Sequence, residues 1–349
     1  MSGVWNGRDE KEVVLRFYAI ESEFGIDNLK VLEREVSKPR FGRVLVKIKA
    51  ASLNYRDLLV IKGKYSRDLP LPLIPFSDGA GEVVEIGEGV SRWKPGDRVA
   101  GIFFQAWLSG RIDESVAKSA LGGAIDGVLA EFVEFREDGL VEIPQHLSYE
   151  EGATLPCAAV TAWHALTSGG LTCGQSVLTL GSGGVSTFAL QFAKAAGARI
   201  IVTSSSDQKL SRMVEMGASY GINYKAVPDW ENRVIELTEG IGVDIVVEVG
   251  GAGTFGKSLQ AVSCGGHISL IGVLSGRAGE ANAMPAIRKS VQIQGIFVGS
   301  REMFEAMNRA VTLHRIRPVI DRVFPFEAVK EALHYMESGA HFGKVVVVL

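Results

Sequence analysis

Residues Ser176–Lys209 read SVLTLGSGGVSTFALQFAKAAGARIIVTSSSDQK. Ser176 to Leu180 is a short apolar run that meets Gly181-Ser182-Gly183-Gly184. Val185, Phe188, Ala189, Phe192, Ala193 and Ala196 then recur at helical spacing, and Gly197 closes the run as a C-cap. A second apolar run, Ile200 to Thr203, follows at once. The order strand, glycine turn, helix, strand is one βαβ unit.

That unit is built for phosphate. Gly181 permits the tight turn, and Gly183 lets the backbone approach a pyrophosphate. The amides of Ser182, Gly184 and Val185 then face the anion, aided by the helix dipole. The third fingerprint position is Ser186, small enough for close packing of helix on strand. The bland alternative is a glycine-rich turn that binds nothing. The end of the second strand selects the cofactor: an NAD site places Asp or Glu about 20 residues after the first glycine to hold the ribose hydroxyls. Here Thr203, Ser204, Ser205 and Ser206 occupy that position. Hydroxyls of Ser204 and Ser205 can donate to a 2′-phosphate and Lys209 can supply charge, which points to NADPH. The competing reading of Lys209 is a solvated helix residue. Asp207 is read as an N-cap or first-turn residue of the next helix.

A length of 349 residues predicts two domains, and a net charge of −3 argues against a nucleic-acid surface. The three cysteines, Cys157, Cys173 and Cys264, are scattered, as in a reducing compartment. The first residues lack the apolar core of a signal peptide, and no apolar run reaches membrane-spanning length. These features predict a cytoplasmic protein.

Val13 to Tyr18 and Arg43 to Ala51 read as strands. The dense polar segment Ser52-Leu53-Asn54-Tyr55-Arg56-Asp57 follows, with a short helical pattern to Gly63 and Tyr65, and suggests a cleft edge. A Gly79-Ala80-Gly81 turn, a strand over Glu82–Ile86 and a turn at Lys94-Pro95-Gly96-Asp97 imply an antiparallel, barrel-like domain. Residues 104–127 read as a long loop at a pocket mouth, and Phe103, Phe104, Trp107 and Phe297 are candidates for an apolar wall. Residues 148–168 read as one helix capped by Ser148. Asp244–Val249 and His267–Ile271 are strands that end at glycine, so Val249, Gly250, Ile271 and Val273 are expected to line the cofactor. Val291–Val298 is a last strand suited to pairing across a dimer. Helices over Glu302–Leu313 and Glu327–Glu337 and strands over Val319–Phe324 and Lys344–Val348 complete the chain.

GAGEVVEIGEGV with PGDRV, then LPCAAVTAWHAL, GSGGVS and the HFGKVVV ending resemble the medium-chain dehydrogenase/reductase superfamily over nearly the whole chain. The resemblance implies an α/β protein with two parts. A GroES-like, mostly antiparallel β catalytic domain is expected from residues 1–153 and 304–349. A Rossmann NADP(H)-binding domain, a doubly wound parallel sheet, is expected from 154–303.

Zinc members of that family carry a cysteine where this chain has Asn54 and a histidine where it has Ser77. Only the third ligand position, Cys157, matches. With Asp78 as the one added oxygen, no metal site is expected, and Cys157 is read as a small buried residue. The zinc-free members resemble quinone oxidoreductases and enoyl or alkenal reductases, which move hydride from NADPH to a quinone or an activated alkene. The resemblance maps Asn54, Tyr55 and Tyr65 to the substrate side of the nicotinamide. Asn54 is then a donor to a carbonyl oxygen and either tyrosine a proton donor, with water or simple wall packing as alternatives. Asp57 is read as an ion-pair or turn residue. The resemblance also maps Thr161 to the carboxamide and Lys344 to the pyrophosphate, and it implies a homodimer or homotetramer acting on a small molecule. Two other readings stay open. One is an alcohol dehydrogenase working through a proton relay or an unexpected metal, and the other is a dinucleotide-binding protein without catalysis.

Overall fold

The computed structural model describes residues 14–66, 68–276, 278–279 and 282–349, so Val13 of the first expected strand lies outside the described residues. In chain order come β1 (Val14–Ala19), β2 (Lys30–Glu35), β3 (Arg43–Ser52), α1 (Tyr55–Ile61), β4 (Asp78–Ile86), β5 (Arg98–Gly101), α2 (Glu114–Ala117), β6 (Phe132–Arg136), β7 (Leu140–Glu142) and α3 (Tyr149–Ala153). Next are α4 (Val160–Ser168), β8 (Ser176–Leu180), α5 (Gly184–Ala195), β9 (Arg199–Ser204), α6 (Asp207–Met216), β10 (Tyr220–Asn223), α7 (Trp230–Leu237), β11 (Val243–Glu248), α8 (Ala252–Ala261), β12 (Val262–Leu270), α9 (Met284–Lys289) and β13 (Gln292–Gly295). The chain ends with α10 (Arg301–Leu313), β14 (Ile320–Pro325), α11 (Val329–Glu337) and β15 (Lys344–Val348). Two compact units result: the chain up to Cys157 together with Ser300–Leu349, and Ala158–Gly299. Among the described residues, no helix is long and apolar enough to cross a membrane.

The first unit is the GroES-like β domain. Its main sheet runs β14-β15-β3-β4-β5-β7, with β6 also paired to β3. β15 returns from the end of the chain and pairs antiparallel with β3, Val346 opposite Ser52, while β4 sets Asp78 opposite Ser52 on the other side. Three chain segments far apart in sequence thus end at one place. The expected Gly79-Ala80-Gly81 turn is instead the start of β4. Glycine serves there for close approach rather than turning. A Cβ at Gly81 would lie 2.1 Å from the Lys47 carbonyl oxygen, and one at Gly79 would lie 2.9 Å from Val128 Cβ.

Two further expectations need correction in this unit. Residues 104–127 are mostly irregular but contain the short helix α2, capped by Asp113, whose side chain accepts from the Ser115 and Val116 amides. Phe103, Phe104 and Trp107 are all at most 3% exposed and meet edge to face, so they are core, not pocket wall. The expected helix over 148–168 is divided. Ser148 and Glu151 form a capping box for α3, a π-helical turn spans Leu155–Ala159, and α4 follows.

The second unit is a Rossmann sheet of order β10-β9-β8-β11-β12-β13, all parallel. Counted from β8, this is strand order 3-2-1-4-5-6, and the reversal between β8 and β11 is where such sheets open a ligand crevice. The buried runs Val177–Leu178, Ile200–Val202 and Ile245–Val247 form its centre, with Phe188 and Phe192 of α5 packed on them. Ser186 contributes more than small size: its hydroxyl donates to the Leu180 carbonyl at 2.6 Å inside the packed helix–strand joint. Replacing Ser186 by Ala should cost about 1 kcal/mol, the net worth of one buried hydrogen bond. Urea denaturation of the two proteins checks this, and equal midpoints would refute it.

Candidate active site

Most of the expected dinucleotide residues lie at the carboxyl ends of the parallel strands, whereas Thr161 is on α4 and Lys344 is in the first unit. Gly181 has φ +76°, and its amide donates to the Thr203 carbonyl at 2.8 Å, which ties the ends of β8 and β9 together. Gly183 is different. Its φ of −81° suits any residue, and a Cβ there would meet no protein atom within 4 Å. Neither backbone conformation nor packing requires glycine at 183, whereas a phosphate approaching the amides would. Gly183 is also the N-cap of α5 and offers no side-chain acceptor, so the first-turn amides of Gly184 and Val185 have no side-chain cap.

Ser204 ends β9 and is buried, and Ser205 is half-buried beside it. Asp207 is the first-turn acid of α6 and Ser206 is its N-cap, the Ser206 hydroxyl accepting the Lys209 amide at 3.4 Å. Asp207 directs its carboxylate to Asn223 Nδ2 at 2.8 Å. Val249 and Gly250 follow β11, and Ile271 and Val273 follow β12. The Ile271 amide donates to the Glu248 carbonyl and the Ser275 amide to the Gly250 carbonyl, which joins these two strand ends. Packing here is too close for side chains: a Cβ at Gly272 would lie 2.0 Å from the Val249 carbonyl oxygen.

Sequence reasoning missed Glu248. Its buried Oε1 accepts from the Gly250 amide at 2.7 Å, the Gly251 amide at 3.0 Å and Thr254 Oγ1 at 2.7 Å, and Ser258 donates to Oε2. A carboxylate six residues before a Thr–Phe pair carries no local signal of this role. Thr161 is buried on α4, while Phe297 stands 44% exposed beyond β13.

The first unit brings Asn54 and Lys344 together. Lys344, 3% exposed, donates from Nζ to the Leu53 carbonyl at 2.7 Å and to Asn54 Oδ1 at 2.5 Å. Asp78 Oδ2 lies 4.0 Å from that ammonium. Ser77 Oγ donates to Asp78 Oδ1 at 2.8 Å, and Asn54 Nδ2 reaches Ser77 Oγ at 3.4 Å. Asp57 accepts the Asn54 amide on Oδ2 at 2.8 Å, and its Oδ1 faces Arg56 Nη1 at 3.7 Å. The Arg56 guanidinium also donates to the Leu121 carbonyl and lies between the rings of Tyr65 and Phe103, 5.1 and 4.8 Å from their centroids. Tyr65 is half-buried, and Tyr55 on α1 is 45% exposed. Cys157 is partly exposed as a residue but its thiol is buried, and its amide donates to Asp78 Oδ2 at 3.1 Å.

Four charges of alternating sign thus surround Asn54. Burial pushes the carboxyl of Asp57 up to about 7, against the pull of Arg56 and with a smaller push from Asp78. Burial likewise raises Asp78, opposed by Lys344, and raises the Cys157 thiol, reinforced by Asp78.

Two family profiles match this chain: the alcohol dehydrogenase GroES-like domain over residues 40–145 and the zinc-binding dehydrogenase over 184–312. A zinc-type alcohol dehydrogenase-like protein of Schizosaccharomyces pombe is 45% identical over 96% of this chain and 99% of its own. A 2-methylene-furan-3-one reductase of Solanum lycopersicum is 33% identical over 93% of this chain and 77% of its own. The crystal structure of an NAD-dependent alcohol dehydrogenase, 34% identical, superposes with a TM-score of 0.87 over 96% of this chain and 99% of that one. Fold and site define a nicotinamide-dependent oxidoreductase. The chain belongs to the medium-chain dehydrogenase/reductase superfamily.

Zinc in that superfamily needs anionic or imidazole donors. The residues here do not fit it: Asn54 and Ser77 supply neutral oxygens, and the Lys344 ammonium already stands against Asn54 and near Asp78. Among the described residues, no group of three His, Cys, Asp or Glu side chains is placed to hold a metal ion.

The raised Asp57 carboxyl makes a stability prediction. Between the unfolded value of about 3.9 and the folded value of about 7, the folded protein holds a proton that the unfolded chain has released. Stability from this group is therefore full below pH 4 and is lost as pH rises to about 7. Asp57→Asn removes that loss. The melting temperature of the variant minus that of the parent should grow from pH 5 to pH 8, measured by scanning fluorimetry. Parallel curves would show that Asp57 does not titrate in this window.

Proposed function

We propose that this protein is an NADPH-dependent, zinc-independent reductase that transfers hydride to a quinone or to the activated C=C of an α,β-unsaturated carbonyl compound. The observation that carries the reading is the Asn54 amide, held by a buried lysine at the position where zinc relatives have a metal ligand. Without a Lewis acid to help deprotonate an alcohol, the chemistry that remains accessible is reduction of an acceptor already polarised.

In the alkene case, bound NADPH would supply the hydride that forms a C–H bond at the β-carbon. The π pair moves toward the carbonyl oxygen, giving an enolate, and a proton then adds at the α-carbon. NADPH is oxidised and the alkene reduced, with one proton consumed. Asn54 Nδ2 donates to the developing oxyanion. Tyr65 or Tyr55 delivers the proton directly or through water, and Tyr65 is favoured by its half-buried ring beneath Arg56. For a quinone, the same donor serves the oxygen that becomes a hydroquinone hydroxyl. The enone named for the tomato relative supports this substrate class.

In this reading the second unit binds the dinucleotide. Gly181, Ser182, Gly183, Gly184 and Val185 take the pyrophosphate, Thr161 the carboxamide, and Val249, Gly250, Ile271, Val273 and Phe297 line the nucleotide. Ser204, Ser205 and Lys209 take the 2′-phosphate. Supporting the choice of NADPH, β9 ends without a carboxylate, and Asp207 is engaged by Asn223.

Metal-stripped protein should oxidise NADPH with quinones or enones and do so far faster than NADH. Lys209→Ala should cost roughly 1.5–3 kcal/mol of NADPH binding and leave NADH binding nearly unchanged. Equal loss for both cofactors would remove Lys209 from the phosphate site, and activity only on adding zinc would sink the metal-free reading.

A second copy of the chain is the proposed partner. β13 is an edge strand with every residue exposed, including Ile293 at 44%. Ile293→Lys should lower the mass found by sedimentation equilibrium, and an unchanged mass would place the contact elsewhere.

A further inference from the structure

The acceptor-side cluster holds a residue whose role the resemblance set elsewhere. Lys344 was expected at the pyrophosphate, yet its ammonium is buried and spends its donors on Leu53 and Asn54 of its own unit. An ammonium has no acceptor capacity. The Asn54 side-chain atom 2.5 Å away must therefore be the amide oxygen, so Lys344 decides which way the amide faces.

The remaining contacts agree with that orientation. Asn54 Nδ2 points to Ser77 Oγ, whose proton is already given to Asp78, leaving a lone pair to accept. Asn54 Nδ2 carries two protons, drawn on by Ser77 Oγ at 3.4 Å and by the Asp78 carboxylate. Asn54 keeps 8% exposure, through which a ligand oxygen competes for these protons. A cation on the oxygen also draws charge out of the amide and strengthens its N–H groups as donors.

We infer that Lys344 is a positioning residue of the acceptor site, which orients and polarises the Asn54 amide so that Nδ2 donates to the oxygen where negative charge develops. The inference rests on the reading of Asn54 given under the proposed function. Asp78, 4.0 Å from the ammonium, is the counter-charge that keeps Lys344 buried.

The test uses full-length protein with Lys344→Met, Lys344→Gln, Lys344→Arg, Asn54→Ala and the double variant Asn54→Ala/Lys344→Met. Three quantities are read: NADPH affinity by fluorescence, kcat with 1,4-benzoquinone and 2-cyclohexenone, and the Asn54 side-chain ¹H–¹⁵N resonances, assigned by their loss in Asn54→Ala. Lys344→Met should lower kcat at least twentyfold, leave the NADPH dissociation constant within twofold and move both Asn54 Nδ2 proton signals. The double variant should be no slower than Asn54→Ala alone, because both changes remove one interaction. Lys344→Arg should recover at least a third of the lost kcat. Where Lys344→Met fails to melt cooperatively, Lys344→Gln, which keeps a donor without charge, decides by the same readings. A tenfold weaker NADPH affinity with unchanged kcat, multiplicative rate losses in the double variant, or unmoved Asn54 resonances would overturn the inference. If the parent protein reduces neither compound, the proposed function fails instead, and the resonances still decide the role of Lys344.

Discussion

The Asn54 cluster of the first unit depends on one constraint: a lysine ammonium cannot be buried without acceptors and a counter-charge. Lys344 finds them in the Leu53 carbonyl, the Asn54 amide and the Asp78 carboxylate. Leu53 and Asn54 stand 291 and 290 residues before it in the chain, and Asp78 is also far upstream. Only a sheet that places β15 against β3 and β3 against β4 can bring them together. Breaking any one member would leave a buried charge uncompensated, which is more costly than never having buried the pair. The cluster therefore makes the return of the C-terminal strand a condition for the site.

Around it, Asp57 and Arg56 extend the same pattern. The carboxylate of Asp57 accepts the Asn54 amide and fixes the backbone where β3 turns into α1. Arg56, clasped between Tyr65 and Phe103, balances Asp57 and links this turn to the Leu121 carbonyl. Asn54 is thus held at its backbone by one carboxylate and at its side chain by one ammonium. Few rotations remain to it, and an amide so restrained can act as a fixed dipole, the property that oxyanion stabilisation requires.

The two units were not equally legible in the sequence. The turn at Gly181–Gly184, the helix after it and the strands beside it follow from spacing within about 35 residues, because a βαβ unit is a local structure. Glycine was harder to read in the β domain. Gly79 and Gly81 resemble a turn in sequence, but they are strand residues made small by the Lys47 backbone and by Val128. That signal lies in partners that only the fold brings near. The aromatic residues Phe103, Phe104 and Trp107 misled for the same reason: composition shows an apolar cluster without showing whether it faces a ligand or a core. Asn54 stands out through family resemblance, whereas its contact with Lys344 has no signal in the sequence, since nothing local connects residues 54 and 344.

The two units also answer different electrostatic demands. A dinucleotide brings its own charge, and the second unit meets it with neutral backbone: uncapped amides at the start of α5 and a glycine at 183 that leaves them accessible. In the proposed reaction, an acceptor such as a quinone or enone would arrive neutral and become anionic only as hydride is transferred. A permanent cation in direct contact would hold the product anion as well, whereas a cation one amide away strengthens a donor whose full effect appears only as the charge develops. The first unit has that arrangement in Lys344 behind Asn54, with Asp78 beside it to keep the resting site neutral.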